Sequence, residues 1–150
     1  MEPFDNKKAA QVWQRVTGAP QPVRNEQELL TMIAEELTDS VTYAQLARHF
    51  QGKENALLRR LAEQEQAHAA CLKGIYTLMT GSPPTVRSAE PVPEPLLQRL
   101  RRCYGREMHS LARYETHSTD PEYGQVFARL AAQEREHCHI LLEIIGKAKK

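Results

Sequence analysis

The placement of proline constrains this chain more than any other feature. The nine prolines stand at positions 3, 20, 22, 83, 84, 91, 93, 95 and 121. They leave 23–82, 96–120 and 122–150 free of the residue that lacks an N–H and clashes with the preceding helical turn. Those three tracts predict helices. Within the first, Gln51-Gly52-Lys53 interrupts the periodic pattern, so it divides into one helix over about 25–50 and a second over about 54–80. Asn25 followed by Glu28 reads as a capping box for the first. Pro95 behind Glu94 and Pro121 behind Asp120 each look like a proline at the first helical position after an acidic cap, and so start a third and a fourth helix. The fourth runs to about Ile145, where Gly146 and the lysines beyond it suit a C-terminus.

The segment Gly81–Glu94 carries four prolines and no apolar period, which predicts an extended connector. Its 14 residues reach about 43 Å in polyproline geometry, and a 27-residue helix is about 40 Å long, so the connector can climb a whole bundle. Two short hairpin turns and one long crossover make an all-α four-helix bundle of ferritin-like topology over 25–150. Before it, 1–24 holds a short amphipathic helix over Asp5–Thr17, with Ala9, Val12, Trp13 and Val16 on one face and Gly18 as its stop.

The helical stripes are not wholly apolar. The first reads Leu29, Ile33, Glu36, Ser40, Tyr43, Ala47, Phe50, and the second Leu58, Leu61, Glu65, His68, Leu72, Ile75, Met79. The third reads Leu100, Tyr104, Glu107, Leu111, Tyr114, and the fourth Phe127, Leu130, Glu134, His137, Leu141, Ile144. Each helix thus carries a glutamate near the middle of its inward face. Four carboxylates buried together would repel one another and resist ionisation. Two divalent cations balance that charge, and two neutral imidazoles complete their shells, which is the donor pattern of a carboxylate-bridged dimetal bundle.

The chain is also an internal repeat. Residues 61–68, LAEQEQAH, match residues 130–137, LAAQEREH, at five of eight positions, and Glu36…Tyr43 has the spacing of Glu107…Tyr114. With 16 Glu and 6 His, chance alone supplies about 0.6 Glu-x-x-His pairs, so a single pair says little and the doubling says more. A third pair, Glu136 and His139, lies off the stripe and reads as surface. Tyr43 and Tyr114, two turns beyond Glu36 and Glu107, are the candidate catalytic side chains, with hydroxyls able to reach a bridging carboxylate from across the bundle. Gln64 and Gln133 precede the bridging glutamates and could meet a ring nitrogen, but a solvated helix face is the reading preferred for them. His49, His109 and His117 read as surface or cap residues, and Cys103 and Cys138 as small core fillers.

Charge and composition exclude several classes. Lys+Arg 20 against Asp+Glu 19 gives a formal charge of +1, with no field of one sign for a nucleic acid or an anionic membrane. No uncharged apolar run is long enough to span a bilayer. The mixed charges of the first eight residues do not make a secretory signal. Three cysteines, Cys71, Cys103 and Cys138, form no Cys-x-x-Cys and give an odd number, against both a disulfide framework and a zinc ribbon. A reducing cytoplasm is the expected setting.

These residues resemble the ferritin-like superfamily, and most closely the diiron domain of rubrerythrin and the related bacterioferritins, over about 120 positions. The resemblance implies that Glu36, Glu65, His68, Glu107, Glu134 and His137 are metal ligands, with Glu65 and Glu134 as the bridging pair and two iron ions as the cofactor. Manganese and zinc also suit these donors. A further glutamate of rubrerythrin falls at Ser110 here, so that family's ligand switching is not carried over. The aspartate common before each bridging glutamate is Gln64 or Gln133. No rubredoxin domain follows the fourth helix, which implies an external electron donor such as a rubredoxin-like protein. Nor does the short fifth helix of ferritin cages, which implies a small homo-oligomer such as a dimer rather than a storage shell. The expected activity is reduction of H2O2 or O2. A ferroxidase with Fe(II) as substrate and a metal-binding bundle of little turnover are the alternatives.

Overall fold

The computed structural model describes residues 25–149, and the short helix expected over Asp5–Thr17 lies outside the described residues. Four helices and no strand make up the described residues: α1 (Glu26–Ala47), α2 (Gly52–Thr80), α3 (Leu96–His117) and α4 (Gly124–Ala148). None is long and apolar enough to cross a membrane.

Asn25 caps α1 as expected, its side chain accepting from the Glu28 N–H at 3.1 Å. Several other boundaries differ from expectation. The first helix ends at Ala47 rather than near 50, where Arg48, His49 and Phe50 turn back onto the carbonyls of Gln45, Leu46 and Ala47. Asn55 donates to the Ala47 carbonyl at 2.8 Å and ties the second helix to that turn. The second helix begins at Gly52, ahead of the expected start. It ends at Gly81, whose φ of 79° is the left-handed conformation that closes a helix without a Cβ penalty. Pro95 is the cap of α3 rather than its first helical residue, and Glu94 pairs with Arg102 at 2.8 Å instead of capping. At the other end of the chain, Gly146 lies inside α4, which continues to Ala148.

The start of α4 differs most. Asp120 does act as a cap, accepting from the N–H groups of Glu122 and Tyr123 at 2.8 and 2.7 Å. Those bonds hold a turn over 121–123, so the helix proper opens only at Gly124. A Cβ on Gly124 would stand 2.5 Å from the Ser118 carbonyl oxygen, so only glycine lets α4 pass so close to the end of α3. Gly124→Ala is expected to cost about 1–3 kcal/mol in urea unfolding, because backbone must move to admit the methyl. Gly146→Ala meets open space in a helix interior and should instead stabilise by about 0.4–1 kcal/mol.

Two apolar clusters fill the bundle, one toward each end. The first joins Leu46, Leu58, Leu100 and Leu141, that is, the end of α1, the starts of α2 and α3, and the end of α4. The second joins Leu29, Leu72, Leu111 and Phe127, the complementary ends. Helix α2 therefore finishes at one end of the bundle and α3 starts at the other, so the connector between them spans its full length. The connector lies along α1 and α3, where the Ala89 N–H donates to Thr38 at 2.9 Å. Close packing joins α1 to α2, α3 to α4 and, more sparsely, α2 to α4. All six expected ligands sit between the two apolar clusters.

Candidate metal centre

The inward stripe of each helix delivers its glutamate to one level of the bundle. Glu36, Glu65, His68, Glu107, Glu134 and His137 are each 0–1% exposed. They make two interlocking groups, Glu36, Glu65, His68, Glu134 and Glu65, Glu107, Glu134, His137, each with its donor atoms within 4.8 Å of one another. Two donors on opposite sides of a cation at about 2.1 Å would be about 4.2 Å apart, so either group has room for one ion. Glu65 and Glu134 belong to both groups, as a bridging pair must. The repeat in the sequence is thus a repeat in space.

What these atoms lack is a hydrogen-bond partner, which leaves them able to hold a metal ion. Eight buried side-chain atoms have no hydrogen-bond partner among the described residues: Glu36 Oε2, Glu107 Oε2, both oxygens of Glu65, both of Glu134, and Nδ1 of His68 and His137. Unsatisfied buried polar atoms are rare and costly, and here they occur only as the convergent set. The two Nδ1 atoms stand 2.7 Å from Glu134 and 2.6 Å from Glu65, near enough for electrostatic attraction but without hydrogen-bond alignment. An oxygen and imidazole set of this kind fits iron, manganese or zinc.

Around this set runs a second ring of contacts, and it corrects two expectations. Tyr43 and Tyr114 were expected to reach bridging carboxylates, yet each donates to a terminal one across the bundle: Tyr43 to Glu107 and Tyr114 to Glu36. The hydroxyl takes one oxygen of each carboxylate and leaves the other, Oε2, without a partner, the one that would be free to hold an ion. Gln64 and Gln133 are not merely solvated. The Gln64 side-chain oxygen lies 2.6 Å from Nε2 of His137, and that of Gln133 pairs with Nε2 of His68. An amide oxygen can only accept, so Nε2 carries a proton and Nδ1 is the ring nitrogen left facing the carboxylates. The two rings stack with centroids 5.6 Å apart and planes at 16°. Only the exact repetition of Gln before each bridging glutamate hinted at this role.

Without metal, the carboxylates divide their protons unequally. Burial, then the charges of Glu36 and Glu107, pushes Glu65 well above the usual range, and burial with the adjoining carboxyl of Glu107 does the same for Glu134. Burial also opposes ionisation of Glu107, but the adjoining Glu134 and His137 and the hydrogen bond from Tyr43 overcome it and bring that group down to about 2. Burial disfavours a charge on His68, while Glu36, 3.5 Å away, outweighs it and raises the pKa. Both tyrosines are raised well above 10, chiefly by burial, and stay neutral donors.

The remaining residues fall largely where expected. Glu136 and His139 are exposed, with Glu136 paired to Arg60. His49 and His109 are exposed as well. His117 is half-buried and ends α3, the cap-type position among those expected, where it sits 2.9 Å from Glu28 and against Phe127 and joins the end of α3 to the start of α1. Burial raises the Cys103 thiol to about 12 and the Cys138 thiol to about 11, which keeps both unreactive. The sequence reading missed Asp39, a buried carboxylate outside the ligand set. Compared with models of known families, with curated proteins and with solved structures, the chain finds no match.

Proposed function

We propose that this protein is a non-haem diiron redox protein of the ferritin-like, rubrerythrin type, which reduces H2O2 or O2 with electrons from an external donor. The observation that carries the reading is the set of eight unpartnered donor atoms divided between two groups that share both bridging glutamates. Bound there, a pair of iron ions would supply two-electron redox chemistry. The chain's own residues do the rest. Glu65 and Glu134, common to both donor groups, would hold the pair. Gln64 and Gln133 accept from Nε2 of the imidazoles and so fix the orientation of the rings. The tyrosines hold Glu36 and Glu107 in place and offer the only hydroxyl donors bonded to the ligand set among the described residues. Leucine, isoleucine and phenylalanine above and below exclude bulk water. Ligands so deeply enclosed favour ions kept as a cofactor over ions that pass through as substrate.

Stopped-flow mixing of anaerobic Fe(II)-loaded protein with H2O2 or O2 tests this. The expected result is faster oxidation by H2O2, about two irons consumed per chain, and silence until a reductant is added. Continued oxidation of many Fe(II) per chain would instead establish the ferroxidase reading.

A further inference from the structure

The ligands lie within the bundle, so an ion must find a way in. Both ends are closed by apolar clusters. The α2–α4 seam is closed by the stacked imidazoles and their glutamine partners. Within each hairpin the helices pack closely. The α1–α3 seam is different. It is spanned by polar side chains and opens into a recess of about 470 Å³, lined by Glu35, Asp39, Gly105, Arg106 and Ser110 among others.

Asp39 and Ser110 form the inner wall of this recess, each one helical turn beyond a terminal ligand, Glu36 and Glu107 respectively. Both are more than nine-tenths buried. The Asp39 side chain is 5% exposed and is held at 2.8 Å by Nε of Arg106, whose own side chain is 37% exposed. A buried carboxylate that is neither a ligand nor a cap is costly to keep. Arg106, by contrast, loses little by turning into solvent. A cation and a guanidinium cannot share one carboxylate, so occupancy of Asp39 by either excludes the other.

We propose that divalent cations reach the centre through the α1–α3 seam, received by Asp39 when Arg106 swings outward. The proposal rests on reading the cluster as a metal centre. Asp39 strips part of the hydration shell and passes the ion to Glu36 or Glu107, while Arg106 keeps the seam closed to unproductive cations between loadings. Neither residue belongs to the final coordination set, so both act on the rate of loading and not on its end point.

The test is anaerobic stopped-flow uptake of Co(II) by the full chain stripped of metal, followed by its visible absorption, with equilibrium stoichiometry measured on the same samples. Asp39→Asn should slow uptake about tenfold or more, and Arg106→Ala should speed it by a similar factor, because a local charge sets how fast an ion is drawn in. Both variants should still reach the stoichiometry of the parent chain. Unchanged rates in both variants, or slower uptake in Arg106→Ala, overturn the route. Failure of the unmodified chain to take up two ions overturns the metal centre itself, a separate outcome. Because Arg106→Ala removes only a half-exposed side chain, it serves even if Asp39→Asn folds poorly.

Discussion

Glu65→Ala is expected to abolish binding of both ions, while His137→Ala loses one. Glu65 contributes both of its unpartnered oxygens and is common to the two donor groups, so its removal opens both at once. His137 belongs to one group only. Losing its Nδ1 leaves the other group with all its donors, though with a neighbour of altered charge. Metal analysis after gel filtration gives the readout: two ions per chain for the parent protein, none for Glu65→Ala, and one for His137→Ala. Glu136→Ala and His139→Ala, which alter the exposed Glu-x-x-His pair, should retain the parent stoichiometry. Retention of both ions by Glu65→Ala and His137→Ala would refute the assignment, and their loss from Glu136→Ala would relocate it.

A large effect is also expected when the metal is removed, and its pH dependence has a defined sign. Each ion held at a thousand times its dissociation constant adds about 4 kcal/mol to folding stability, so two add about 8 kcal/mol. At about 3 °C per kcal/mol for a chain of this size, loading should raise the melting temperature by about 24 °C at neutral pH. Glu65 and Glu134 have folded pKa values above their unfolded ones, so the metal-free fold binds more protons than the unfolded chain and loses stability as pH rises above about 4.5. His68 is also raised; its contribution is complete below its ordinary value and fades as pH climbs through the raised one. Glu107 acts in the opposite sense, since its folded value of about 2 gives stability that is lost only as pH falls from its unfolded value toward 2. Between pH 5 and 8, then, the metal-free protein should melt higher as the buffer becomes more acid. The loaded form should move the other way, because protons compete with the ions for every ligand. Calorimetry of both forms across that range should show the gap close toward pH 5. Equal melting temperatures at neutral pH would mean that these carboxylates are not a metal centre.

The convergent Glu/His set was legible because it violates a pattern. Glutamate where leucine belongs, at the same level of four stripes, needs no tertiary knowledge to be noticed, and steps of three and four residues suffice to put Glu65 with His68 and Glu134 with His137. Contacts that depend on how one hairpin is rotated against the other were less accessible. Gln64 is one residue from Glu65 and so about 100° away around the helix, which reads as solvent until α4 is brought alongside. Asp39 was hidden for the same reason, since its burial follows from Arg106 and from the connector, which covers part of the α1–α3 seam beside the recess. The start of α4 was displaced because capping residues announce the first bonded N–H groups, whereas the approach of Gly124 to Ser118, three-dimensional in origin, decides where the helix settles.

The partners of the centre are exchanged between the two halves of the chain. Tyr43 of the first hairpin steadies Glu107 of the second, Tyr114 of the second steadies Glu36 of the first, and each glutamine serves the other hairpin's histidine. Neither half can therefore be tuned alone: a change to one glutamine is felt by the imidazole on the opposite strand of the repeat, so the two copies are bound to vary together. A half-length chain with the same pattern would hold metal only by pairing with a second copy of itself, and the long connector makes that partnership permanent.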